Sequence, residues 1–167
     1  MSKTMFKGMP VNLLGEFVQV GAIAPNFSLV KGDLSRFSLK DGKGKNLILN
    51  LFPSLDTTVC AASVRKFNQV AATLPNTLVL CISKDLPFAQ SRFCTTEGIE
   101  QVIPLSDYLY DSDFAQTYGL LMSDGPLKGL LARSVVIIDP SGKVIYTELV
   151  ADIVDEPNYE AALNVIR

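Results

Sequence analysis

Three cysteines, Cys60, Cys81 and Cys94, are the candidates for chemistry in this chain, because it contains no histidine. Without imidazole there is no Ser-His-Asp or Cys-His pair, no HExxH zinc site and no histidine-ligated haem. Serine, threonine and lysine remain as possible nucleophiles, but only a thiol becomes strongly nucleophilic through a pKa shift alone. The cysteines are odd in number, form no CxxC pair and are too scattered for a disulfide framework or a four-cysteine zinc site. No metal or other cofactor is expected.

The three positions differ in environment. Cys81 lies in Leu78-Val79-Leu80-Cys81-Ile82, an apolar strand in which a thiol is neutral and behaves as a small hydrophobe. Cys94 falls late on a predicted helix, between Phe93 and the polar Thr95-Thr96-Glu97, and taken by itself reads as an incidental semi-exposed cysteine. Cys60 follows the loop Pro53-Ser54-Leu55-Asp56-Thr57-Thr58-Val59 and sits in the predicted first turn of a helix. There, unpaired N–H groups and the positive end of the helix dipole stabilise a thiolate. Cys60 is equally the first residue of that helix's apolar stripe, so its position also fits plain burial.

A thiolate flanked by a hydroxyl and a guanidinium suits attack on a peroxide O–O bond, because the departing oxygen needs fixed partners as charge moves onto it. Thr57, three residues before Cys60, can present its hydroxyl to the same turn. Arg133 is an isolated cation in Leu130-Leu131-Ala132-Arg133-Ser134-Val135, at the mouth of a predicted strand. Read alone, it could equally be a strand-entry arginine reaching solvent. Arg65 and Lys66, on the helix after Cys60, read as a solvated face.

The elements that must position these residues follow from periodicity and turn signals. Residues 11–14 and 17–20 around Gly15 predict an amino-terminal hairpin, and 27–30 a further short strand. The polar turn 40–45 leads into an apolar strand at 46–52, stopped by Pro53. Cys60, Val64, Phe67, Ala71 and Leu74 mark one face of a helix ending before Pro75. Residues 77–83 complete a strand–helix–strand unit with a right-handed crossover. A helix at 87–97 ends at Gly98, and a short strand follows at 102–105 and a short helix at 113–118. Residues 134–138 and 144–149 flank Asp139-Pro140-Ser141-Gly142 as an antiparallel hairpin, and a helix at 157–166 closes the chain. Parallel pairing first and an antiparallel hairpin last is the order of an α/β thioredoxin-like fold, a central mixed β-sheet flanked by helices.

Composition sets the frame for that chemistry. A chain of 167 residues that is 48% hydrophobic predicts one compact domain spanning 1–167, with no repeat or linker. The formal net charge of −2 leaves no basic field for a phosphate backbone, so nucleic acid is not expected as a partner. No stretch approaches a membrane span or an uninterrupted leader core. With unpaired cysteines, this predicts a cytoplasmic, reducing address.

Pro53, Thr57 and Cys60 match the signature of the peroxiredoxins, Pro-x3-Thr-x2-Cys, and the sequence resembles that family. The stretches FPSLDTTVCAASVRKFN from Phe52, LPFAQSRFC from Leu86 and DGPLKGLLAR from Asp124 are similar to its bacterial thiol peroxidase subfamily, an atypical two-cysteine group. The resemblance implies that Cys60 is the peroxidatic cysteine, Cys94 the resolving cysteine, and Arg133 the arginine that activates the thiolate. It implies that Pro53 and Thr57 shield the sulfur and orient the peroxide, and that Cys81 is not catalytic. A thioredoxin fold with an added amino-terminal hairpin, a homodimer, a hydroperoxide substrate, a Cys60–Cys94 disulfide and thioredoxin as reductant are also implied. Leu55, Phe93 and Met122, as apolar neighbours, would favour alkyl hydroperoxides over hydrogen peroxide. Two competing functions on the same fold are a disulfide reductase, which normally uses a CxxC pair, and a non-enzymatic redox sensor.

Overall fold

The computed structural model describes residues 2–167. The chain opens with a hairpin of β1 (Lys3–Phe6) and β2 (Met9–Leu14), followed by β3 (Ser28–Val30), β4 (Arg36–Ser38) and β5 (Asn46–Leu51). Then come α1 (Thr58–Ala71), β6 (Thr77–Ser83), α2 (Pro87–Glu97), β7 (Ile103–Ser106) and α3 (Phe114–Thr117). Last are β8 (Leu121–Met122), β9 (Ser134–Ile138), β10 (Val144–Leu149) and α4 (Tyr159–Asn164). One sheet runs β10-β9-β5-β6-β7-β3-β4, and a second, three-stranded sheet runs β1-β2-β8. Pairing is parallel for β5–β6 and β6–β7 and antiparallel for β5–β9 and β9–β10. This is the mixed, helix-covered sheet of the thioredoxin-like class.

The central strands are apolar on both faces, as strands with two covered faces must be. Leu47, Leu49 and Leu51 of β5, with Leu80 and Ile82 of β6, pack in a core that includes Phe114 and Tyr118 near α3 and Val11 and Leu13 of β2. Ile48, Val79, Cys81, Val135 and Ile137 pack in the other, beneath Cys60, Val64 and Phe67 of α1 and Ala162 and Leu163 of α4. Period-two alternation thus assigns each strand residue to one layer. Asn50 of β5 is polar yet fully buried, and its amide donates to Ser63 Oγ of α1 at 3.2 Å. Ser63 Oγ in turn donates to the Cys60 carbonyl at 2.8 Å. A polar tie therefore joins the sheet to the first turn of α1.

The amino-terminal hairpin exists but pairs differently from the expectation. Residues 11–14 are strand, yet their partner is β1, through the turn at Lys7 and Gly8, and residues 17–20 form no strand. Gly15 has φ +81° and packs against the Gln116 carbonyl, where an added Cβ would overlap the backbone. Gly119, at φ +73°, meets the backbone of Glu16 and Phe17 in the same way. Both glycines permit a close backbone approach rather than a strand reversal. The turn actually used has Lys7 at φ 51° beside Gly8, a weaker sequence signal. The short edge strands β4 and β8 also have no counterpart in the sequence reading.

Candidate active site

Thr57 is the N-cap of α1, with extended backbone, and Cys60 is the third helical residue. The N–H groups of the first turn have no intrahelical acceptor, so their positive end surrounds the Cys60 segment. The Thr57 hydroxyl does not cap the helix. It donates back to the Ser54 carbonyl at 3.0 Å, which leaves the hydroxyl oxygen free to accept.

Arg133 lies immediately before β9 and is only 2% exposed. The alternative of a strand-entry arginine reaching solvent is therefore wrong, and the reason is a pair of internal acceptors. Its Nη2 lies 3.1 Å from Cys60 Sγ, and its Nε donates to the Ile153 carbonyl at 2.8 Å. Buried Nη1 has no acceptor among the described residues. Cys60 is completely buried and belongs to the apolar face of α1, as plain burial predicts, and its sulfur also touches the Arg133 guanidinium.

The Ile153 carbonyl was not legible in the sequence, since a backbone acceptor carries no residue-type signal. It is delivered by the hairpin. The Met5 N–H donates to the Ala151 carbonyl at 3.0 Å, and the Ile153 N–H donates to the Met5 carbonyl at 2.8 Å. The Thr4 hydroxyl donates to the Val150 carbonyl at 2.9 Å, and Asp152 accepts the Lys7 and Gly8 N–H groups at 3.1 and 2.8 Å. Strand β1 thus holds the 150–154 segment that orients Arg133.

A pocket of about 350 Å³ reaches Arg133, lined also by Pro53, Thr57, Val59, Leu127 and Ile153. The three apolar residues expected to shape substrate preference lie elsewhere. Leu55 and Met122 are buried in opposite cores and Phe93 packs with Leu55's cluster. None lines this pocket. Apolar contact there comes instead from Phe6, Val59, Leu127 and Ile153, three of which lie far from Cys60 in sequence.

Cys94 sits in the last turn of α2, half-buried, with its carbonyl accepting the Gly98 and Ile99 N–H groups. Burial pushes its thiol pKa up. All three cysteines are free thiols. Among the described residues there is no group of side chains that could hold a metal ion, and no helix is long and apolar enough to cross a membrane.

Residues 19–163 match the Redoxin family, a match that begins after the hairpin. The chain is 55% identical over 163 residues to the thiol peroxidase of Corynebacterium glutamicum, covering 98% of each sequence. It is 51% identical to the thiol peroxidase of Mycobacterium tuberculosis, over 98% of this chain and 97% of that one. Among solved structures it is similar to a peroxiredoxin-like protein from Aquifex aeolicus, with a TM-score of 0.94, 40% identity and coverage of 99% of this chain and 96% of that one.

Cys81 can be tested as a purely structural thiol. Burial, opposed in part by the Asn50 amide, raises it from an ordinary value of 9.0 to about 12. The folded chain therefore keeps a proton that the unfolded chain releases above pH 9, and stability is lost as pH rises from 9 towards 12. Chemical denaturation across this range should show Cys81→Ala losing stability less steeply than the wild type; parallel slopes would contradict the assignment.

Proposed function

This chain belongs to the Redoxin family and is a thiol peroxidase of the peroxiredoxin type, and from that premise we propose that Cys60 is its peroxidatic residue and Cys94 its resolving one. The observation that carries the reading is the 3.1 Å contact between Arg133 Nη2 and Cys60 Sγ. A buried cation beside the sulfur stabilises it as an anion, the form that attacks.

The hydroperoxide enters the pocket beside Pro53 and Thr57 and reaches the face of Arg133. Arg133 Nη1, which lacks a protein acceptor, donates to a peroxide oxygen. Thr57 Oγ1, its own proton committed to Ser54, accepts from the peroxide O–H. The thiolate attacks the terminal oxygen, the S–O bond forms as the O–O bond breaks, and the electron pair leaves on the other oxygen. That oxygen takes a proton and departs as water or an alcohol, leaving Cys60 as a sulfenic acid. The Arg133 guanidinium and the helix N-terminus offset the charge on the leaving oxygen. Pro53, buried at the pocket wall, keeps bulk water from the sulfur.

Cys94 then attacks the sulfenic sulfur as a thiolate, forming a disulfide within the chain and releasing hydroxide, which takes up a proton to become water. Disulfide geometry requires Cα atoms within ~7 Å, and Cys60 Sγ exchanges its contact with Arg133 for the bond to Cys94. Both cysteines lie in terminal helical turns, where local opening costs least. Opening also rehydrates Cys94 and removes the burial that holds it protonated. Thiol–disulfide exchange with thioredoxin restores both thiols, in a homodimer in the cytoplasm, as the resemblance implies. Phe6, Val59, Leu127 and Ile153 line the entry and favour alkyl hydroperoxides over hydrogen peroxide.

NADPH consumption coupled through thioredoxin reductase and thioredoxin tests this directly. Cys60→Ser should be inactive, Cys94→Ser should oxidise once without thioredoxin-linked turnover, and Cys81→Ser should remain active. Turnover by Cys60→Ser at the wild-type rate would refute the assignment. In the same assay, a bulky organic hydroperoxide should be consumed faster than hydrogen peroxide, and the reverse order would contradict the role given to the apolar wall.

A further inference from the structure

One carboxylate ties the loop before the Cys60 helix to the base of the Cys94 helix. Asp85, between β6 and α2, accepts the Ser54 hydroxyl at 2.8 Å, the Leu55 N–H at 2.8 Å and the Ser83 hydroxyl at 2.7 Å. The first two donors belong to the loop that carries Pro53 and Thr57, and the third ends β6. Asp85 is itself fixed to the sheet. Its N–H donates to Ser83 Oγ at 3.3 Å, and its carbonyl accepts the Ser106 hydroxyl. Gln90, buried near the start of α2, donates to Ser83 Oγ at 3.1 Å and to the Leu105 carbonyl at 2.8 Å. Within the carboxylate, Oδ2 takes both the framework donor Ser83 and the loop donor Leu55, and Oδ1 takes the loop donor Ser54.

What the loop side controls is Thr57. The Ser54 carbonyl accepts both the Thr57 N–H, at 3.2 Å, and the Thr57 hydroxyl, at 3.0 Å, and Ser54 Oγ accepts the Asp56 N–H at 3.2 Å. Thr57 is placed by Ser54, and Ser54 is placed by Asp85. Hydrogen bonds to an ionised carboxylate are shorter and roughly twice as strong as neutral ones, so this is the firmest hold on the loop.

We propose that Asp85 is a positioning residue that latches the peroxide-reactive conformation, and that its bonds to Ser54 and Leu55 open when Cys60 moves to Cys94. The proposal rests on the Cys60–Cys94 chemistry above. The first turn of α1 cannot leave Arg133 while the preceding residues remain pinned to the sheet. The latch therefore aids the first step, by holding Thr57 where the peroxide docks, and opposes the second, by holding Cys60 away from Cys94. The exposed Arg65–Glu97 pair, 3.1 Å apart, also joins α1 to α2, but an exposed pair of this kind contributes little.

Opposite effects on consecutive steps are a signature that loss of folded protein cannot give, since unfolding would slow both. Rapid-quench mass spectrometry on a single turnover separates thiol, sulfenic acid and disulfide. Asp85→Asn should slow sulfenic acid formation, measured in a Cys94→Ser background, by roughly tenfold, and should speed disulfide closure when Cys94 is present. Ser54→Ala removes one donor while leaving the carboxylate in place, and should shift both rates in the same two directions by less, which keeps the test available if Asp85→Asn folds poorly. Any other pattern, with both steps slowed together or either step unmoved, overturns the latch. If Cys60→Ser still turns over peroxide, the reading beneath fails first; if the cysteine variants behave as expected and Asp85→Asn does not, the latch alone fails.

Discussion

A guanidinium removed from water needs a compensating negative charge or a complete set of acceptors, and among the described residues no carboxylate pairs with Arg133. Its contacts are a carbonyl and a sulfur, with one nitrogen left over. Burying a cation in that state is costly by several kcal/mol unless an anion faces it, and the group that faces it is Cys60. In the mechanism proposed above, each partner makes the other's charge tolerable: the cation readies the sulfur to attack, and the sulfur lets the cation sit in the core. The remainder of the structure serves this pair. Strand β9 starts one residue beyond Arg133, α1 starts two residues before Cys60, and the hairpin supplies through Ile153 the acceptor that fixes the guanidinium plane.

On the proposed assignment, the pair also accounts for thiol chemistry without imidazole. A histidine could take the thiol proton and carry it away; here charge stabilisation replaces proton removal, and the donors remain in place when charge shifts to the leaving oxygen. The requirement this creates is mobility. A sulfur held fully buried against an arginine is well placed for one reaction and badly placed for the next. For the proposed Cys60–Cys94 chemistry, that conflict is eased by the places of the two cysteines at opposite ends of their helices, Cys60 in the opening turn of α1 and Cys94 in the closing turn of α2 ahead of the Gly98 cap. Helix ends open at little free-energy cost, while Val64, Phe67 and Gln90 keep the bodies of both helices docked.

Much of this was legible in the residues. Strands β6, β9 and β10 and helix α2 have the bounds expected of them, because long apolar runs and a Pro-to-Gly helix carry strong local signals. Cys81 reads as core from its strand alone and is core. The hairpin register was misread because Gly15, which looks like a turn, is a point of close packing against Gln116. Local patterns could bring Pro53, Thr57 and Cys60 together, but not Arg133, which meets Cys60 across 73 positions of chain; its isolation in an apolar run made it a candidate, and only family likeness tied it to the sulfur. Ile153 and Asp85 left no trace at all. One acts through a backbone carbonyl, and the other resembles any polar residue before a helix until its three donors are seen.

The rate at which peroxide oxidises Cys60 in Arg133 variants addresses the central pair most directly. With a Cys94→Ser background to stop the reaction at sulfenic acid, Arg133→Met should lose on the order of a hundredfold or more in second-order rate, as removal of a fixed charge-stabilising donor typically does. Arg133→Lys, which keeps the charge but not the two-pronged geometry, should fall between Arg133→Met and the unaltered arginine. Oxidation of a folded Arg133→Met variant at the unaltered rate would contradict the account.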